Sequence, residues 1–101
     1  GDLVGVYKQY YINGSQLSTT AYKYGVQHGK EQDYYPSSTL KSEIDYVLDQ
    51  KHGMEIEYYE NGAMKKRTSY LNGLKHGKQE SFNEDGKLIS TQHYLNDTLQ
   101  F

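Results

Sequence analysis

Three histidines precede glycines at one spacing: His28-Gly29, His52-Gly53 and His76-Gly77. Imidazoles repeated in this way invite a metal centre or a proton-transfer site. Glu55 and Glu57 lie two residues apart, a spacing that puts both carboxylates on one side of a strand, where an acid and a base would be paired. Twelve tyrosines supply rings for stacking and hydroxyls for hydrogen bonding. Cysteine is absent, which excludes disulfides and thiolate chemistry. The sequence holds no nucleophile elbow and no glycine-rich phosphate loop. What the remaining candidates can do depends on the elements that hold them.

Those elements repeat. Gly5, Gly29, Gly53 and Gly77 are spaced by 24 residues. Tyr10, Tyr34, Tyr58 and Phe82 follow them at five residues, and Tyr22, Tyr46, Tyr70 and Tyr94 at seventeen. Gly14, Gly62 and Gly86 form a further column at nine, with Ser38 in its second place. A fixed period with this many coincident columns marks a repeat architecture. Residues 1–101 are therefore expected to form a single array with units at about 5–28, 29–52, 53–76 and 77–101.

Each unit reads as a β-hairpin. In "GMEIEYYENGAMKKRTSYLNG" two stretches of strand length are split by Asn61-Gly62. A three-residue loop, Glu60-Asn61-Gly62 with the glycine in the left-handed region, pairs Tyr58 with Met64, Ile56 with Lys66 and Met54 with Thr68. On the other face that register sets Glu57 against Lys65 and Glu55 against Arg67, opposite charges in both cases. In the second unit it leaves a mismatch, Glu31 opposite Glu43. Helix is disfavoured by the period-two alternation and by glycines at short intervals. The predicted fold is all-β: an elongated single antiparallel meander sheet of about four stacked 24-residue hairpins, with up to eight strands. One face is expected to collect Tyr34, Ile56, Tyr58, Met64 and Phe82 together with Ile44, Tyr46, Tyr70 and Tyr94. A flat layer cannot bury these alone, so the sheet is expected to curl around them or to meet a partner.

On such a ladder the catalytic candidates lose their force. Equivalent residues of successive hairpins lie roughly 9–10 Å apart, whereas the nitrogens on one zinc ion must approach within about 3.5 Å. His28, His52 and His76 are therefore expected to build structural turns with Gly29, Gly53 and Gly77, as Gly14, Gly62 and Gly86 close the hairpin loops. No metal and no cofactor is expected. Glu55 and Glu57, each with a basic partner, read as a solvated strand face and not as a tuned acid and base, so no enzyme activity is expected. The doublets Tyr10-Tyr11, Tyr34-Tyr35 and Tyr58-Tyr59 point one ring to each face. Tyr11, Tyr35 and Tyr59 thus form an outward row, the candidate partner-binding surface.

Composition narrows the partners. Hydrophobic residues make up 35% of the chain, enough for a thin, tyrosine-lined core only. Residues 1–50 carry 4 basic and 6 acidic groups and residues 51–101 carry 7 of each, so nothing draws the chain to nucleic acid or to an anionic membrane. No apolar run approaches the roughly 18 residues of a membrane span. The chain opens at Gly1-Asp2 without methionine and is expected to be a trimmed piece, with the removal of an export signal or of further repeats left open. Cell envelope and cytoplasm both stay open.

The unit G-x-x-x-x-Y-Y-x-x-G-x-L/M-x-x-x-x-x-Y-x-x-G-x-x-H-G resembles the MORN-variant repeat, best at Gly53, Tyr58, Tyr59, Asn61, Gly62, Met64, Tyr70, Asn72, Gly73, His76 and Gly77. The resemblance covers nearly the whole chain. It implies stacked hairpins acting as an interaction module and, through the bacterial YwqK-like antitoxins typical of this repeat, neutralisation of a partner protein. Departures from the pattern are Ser38, Asp49 and Asp97 for glycine, Gln100 for histidine, Asn83 for the second tyrosine, and Leu17 displaced by one place. Aspartate tolerates left-handed backbone, so the turns at 49 and 97 are expected to hold. The second unit is expected to be the least regular. The resulting expectation is a non-enzymatic scaffold for an unidentified protein partner, with sheet-edge self-association open to it. The alternative is a carbohydrate- or cell-wall-binding module using the tyrosine row.

Overall fold

The computed structural model describes residues 4–101. Alternating side chains and closely spaced turn residues yield nine strands and no helix among the described residues. They are β1 (Val4–Tyr10), β2 (Gln16–Lys23), β3 (Val26–Tyr34), β4 (Leu40–Val47), β5 (Gln50–Tyr58), β6 (Met64–Leu71), β7 (Leu74–Phe82), β8 (Leu88–Leu95) and the short β9 (Thr98–Gln100). Every strand pairs antiparallel with the next in one open sheet, of extents 48 × 31 × 14 Å. The ninth strand, beyond the eight foreseen, occupies the place where a fifth unit would begin.

The long loops have the expected form. Tyr59 N donates to Ala63 O at 2.8 Å and Gly62 N to Tyr59 O at 2.9 Å, with Gly62 at φ 90. Gly14 and Gly86 repeat this geometry, and in the second unit Ser38 adopts φ 75 with the same two hydrogen bonds. That unit is as regular as its neighbours, because a short polar side chain is enough to hold the left-handed position.

Beyond Tyr58↔Met64 the register differs from the sequence expectation. The next pairs are Glu57↔Lys66, Ile56↔Arg67 and Glu55↔Thr68, which leaves Lys65 as an extra, bulged residue. Leu17, Lys41 and Ile89 are skipped in the same way in the other units. Glu57 therefore meets Lys66 (3.5 Å) instead of Lys65, and Arg67 pairs with Glu80 of β7 instead of Glu55. The mismatch in the second unit disappears: Glu31 faces Ile44, and Gln32 Nε2 donates to Glu43 at 3.2 Å.

A second irregularity corrects the turn assignment of the histidine–glycine pairs. Gly29, Gly53 and Gly77 lie inside β3, β5 and β7 at φ 111, 88 and 102. There the pairing slips: Thr20↔Glu31 is followed by Tyr22↔Gln27, so the odd strand carries surplus residues. His28, His52 and His76 are strand residues beside these bulges. The turns themselves are two-residue and have both residues at positive φ: Tyr24-Gly25, Leu48-Asp49, Asn72-Gly73 and Asn96-Asp97. This is the turn whose twist matches that of a hairpin. Asp49 and Asp97 hold it at φ 68 and 67.

The bulge at Lys65 and its equivalents also divides the expected apolar face. Tyr58 and Met64 stay on one face, whereas Tyr70 shares the other with Lys51 and Glu55. We call the latter the polar face. Its buried centre is Ser18, Thr20, Ile44, Thr68 and Gln79, and Ile44 is the one buried apolar side chain among the described residues. The sheet is held by ladders and repeat-to-repeat contacts in place of a hydrophobic core, as in quasi-one-dimensional arrays.

Candidate interaction surface

The polar face is built from three columns. Residues 27, 51 and 75 supply Gln, Lys and Lys, residues 31, 55 and 79 supply Glu, Glu and Gln, and tyrosines follow at 46, 70 and 94. Gln27 Nε2 donates to Glu31 at 2.9 Å, and one unit further Lys51 Nζ reaches Glu55 at 3.1 Å. Lys51 lies 5.0 Å from the ring centre of Tyr70, and Lys75 lies 4.8 Å from that of Tyr94. Burial, followed by the Glu31 carboxylate, raises the Tyr46 hydroxyl above its usual range, and burial with Glu55 does the same for Tyr70. Burial is the largest single influence on Lys51 and opposes its charge, but the hydrogen bond to Glu55, the Glu55 charge and the Tyr70 and Tyr46 hydroxyls together exceed it and raise the ammonium above its usual range. Apart from Gln79, whose Oε1 is buried without a protein partner, these groups satisfy one another, which suits a structural face.

Tyr11, Tyr35 and Tyr59 have an internal role. Each ring is half-buried, and its hydroxyl donates to a backbone carbonyl of the next unit: Tyr34 (2.5 Å), Tyr58 (2.6 Å) and Phe82 (2.8 Å). Lys41 and Lys65, the bulged residues, each place Nζ 5.7 Å from the ring centres of Tyr35 and Tyr59. The row is not freely outward, because its hydroxyls latch neighbouring hairpins. Glu55 and Glu57 are tied to Lys51 and Lys66.

His28, His52 and His76 lie on the opposite, apolar face. Nδ1 of His28 and of His76 is buried without a protein partner. Among the described residues no three His, Asp or Glu side chains converge on a metal-sized site. His28 and His52 instead line notches. Lys23, Tyr24, Val26, His28 and Leu48 surround one of 240 Å³, and Val47, Leu48, Gln50, His52 and Asn72 surround its equivalent one repeat on, of 120 Å³.

Several exposed hydrophobics lie on the same face as these notches. Val47, Met54, Leu71, Leu74 and Leu95 are each about two-fifths to one-half exposed, and on the loop side of the same face Tyr10 and Leu88 are more so. Between the two apolar bands runs a cross-sheet belt, Gln32–Glu43–Ile56–Arg67–Glu80, in which each residue faces the next across a ladder. The sequence reading missed this surface. Its signal was the column 23, 47, 71 and 95, which reads Lys, Val, Leu, Leu directly after each tyrosine.

A family model described as a MORN repeat variant matches three segments, residues 27–47, 51–72 and 75–96, well over half of the chain. The chain belongs to the MORN repeat variant family. Each matched segment spans most of one hairpin, from the strand after a two-residue turn to the end of its partner strand. No curated protein and no solved structure matches the chain. MORN repeats form non-catalytic scaffolds that mediate protein or membrane interactions.

Proposed function

We propose that this chain is a rigid, non-catalytic scaffold that binds protein through its apolar face, with the notches beside His28 and His52 as anchoring points. One observation carries the reading: Val47, Met54, Leu71, Leu74 and Leu95 lie exposed on one face, while every buried side chain among the described residues lies on the other. Patches of this kind mark interaction sites. Neutralising a partner, as an antitoxin does, is one use of such a face. Carbohydrate stacking has less support, since Lys41 and Lys65 cover the rings of Tyr35 and Tyr59.

The test is a pull-down with immobilised protein. Met54→Asp with Leu74→Asp is expected to reduce retained protein about tenfold or more, whereas Ser90→Asp on the polar face is expected to leave it unchanged. Retention that survives the paired substitution sinks the proposal.

A further inference from the structure

We infer that the apolar face packs against the same face of a second copy of this chain. This rests on the proposed role of that face and names its occupant. The belt carries the argument. Reading outward from Ile56, one side has Glu43 and then Gln32, and the other has Arg67 and then Glu80. A two-fold axis parallel to β5 and passing over Ile56 lays Glu43 of each copy over Arg67 of the other. It also lays the Gln32 amide over the Glu80 carboxylate, a donor over an acceptor. The perpendicular two-fold would instead set Glu43 on Glu43 and Arg67 on Arg67, so the charges select the first axis. An interface with this symmetry is self-complementary by construction.

The apolar bands fit the same arrangement. Met54 lies beside the axis and meets its own counterpart, with Val47 on β4 and Leu71 on β6 exchanging places across it. Aligned sheets pack at about 10 Å, a separation filled by one layer of interdigitated side chains from each. The sheet measures 48 by 31 Å, an outline well above the roughly 800 Å² per partner of a stable interface. Lys30 and Lys78, the like charges this axis brings toward each other, sit two strands away from it. The Lys30 side chain there is 52% exposed.

Sedimentation velocity on the whole chain tests the inference, with circular dichroism confirming that each variant is folded. The wild type is expected to be a dimer. Glu43→Arg and Arg67→Glu are each expected to weaken it about tenfold or more, and the double exchange to recover part of the loss, because the swapped charges meet again across the axis while the in-chain Arg67–Glu80 pair stays broken. Met54→Asp changes an exposed side chain and is expected to give a folded monomer even if a charge variant fails to fold. A monomer at about 100 μM, above the micromolar-to-picomolar range of interfaces of this size, overturns the inference, as does a double exchange no better than either single. The scaffold reading is judged separately. A monomer that still loses its partners with the paired aspartates keeps that reading and sinks only the dimer.

Discussion

Tyr35 donates its hydroxyl to the carbonyl oxygen of Tyr58, 23 residues further along the chain and 2.6 Å away. Tyr58 lies one residue past Ser42↔Glu57, the last pair of the β4–β5 ladder, so the hydroxyl serves a carbonyl at the ladder's end. Tyr11 and Tyr59 make the same contact in their own units. A ring of this kind therefore ties consecutive hairpins together at their loop ends. Tyr35→Phe keeps the ring and removes the donor, which is expected to cost about 1 kcal/mol. The measurement is a urea melt, and an unchanged midpoint would show that the latch contributes nothing.

Alkaline pH should loosen the polar face. Tyr46 and Tyr70 have hydroxyls raised above the ordinary 10.0, chiefly by burial, and Lys51 is raised above 10.5 because, against the opposing effect of burial, Glu55 with Tyr70 and Tyr46 together prevail. In each case the folded state holds its proton more tightly than the unfolded chain. The associated stability is complete below the unfolded values and is lost as pH climbs through the folded ones. Urea midpoints should therefore stay level up to about pH 9 and fall beyond about pH 10, and Tyr46→Phe with Tyr70→Phe should flatten the fall. A decline of equal steepness in that variant would assign the effect to other groups.

Asp49 does more than tolerate its turn. Its Oδ1 accepts a hydrogen bond from Gln27 N at 2.6 Å, while its own N donates to Gln27 O at 2.9 Å. Asp97 clasps Lys75 in the same manner, whereas Gly73 makes only the main-chain bond, to Lys51 O. Asp49→Ala keeps the Cβ that Asp49 already holds at φ 68 but loses the acceptor, for a cost of about 1 kcal/mol or more. Asp49→Gly also loses the acceptor but relieves the left-handed Cβ, so it should cost less. If thermal melts rank glycine as the more damaging change, the clasp is not what stabilises this turn.

Much of this architecture was legible, and the illegible part has a physical cause. The period, the hairpins, the left-handed loop position and the pair Tyr58–Met64 follow from turn chemistry and alternation, which are local properties. The bulge at Lys65 left no local mark, since its column reads Leu17, Lys41, Lys65 and Ile89 with no common type. Its trace was non-local: Glu31 set against Glu43 signalled a register wrong by one residue, and one step of slip gives each a compatible partner. Because the slip was unread, Tyr70 was assigned to the face of Tyr58, and the apolar bands around the belt stayed hidden. Tyr35 looked like a recognition residue for a similar reason. A sequence displays the ring but not the carbonyl 23 residues away that takes its hydroxyl.

The loop glycines allow backbone strain to be separated from packing. A Cβ built on Gly62 meets no atom within 4 Å, so any penalty there comes from holding a side chain at φ 90. Gly62→Val should cost about 1–2 kcal/mol on that account alone. Ser38 holds the equivalent position at φ 75 and already carries part of the strain. Valine at 38 should therefore cost less than valine at 62, and Ser38→Gly should stabilise the protein, by about 1 kcal/mol at most. The gain is tempered because glycine also frees the unfolded chain. Three urea melts decide the matter. A midpoint that falls with Ser38→Gly would mean that the hydroxyl, standing where the other units have glycine, contributes more through its surroundings than the left-handed backbone takes away.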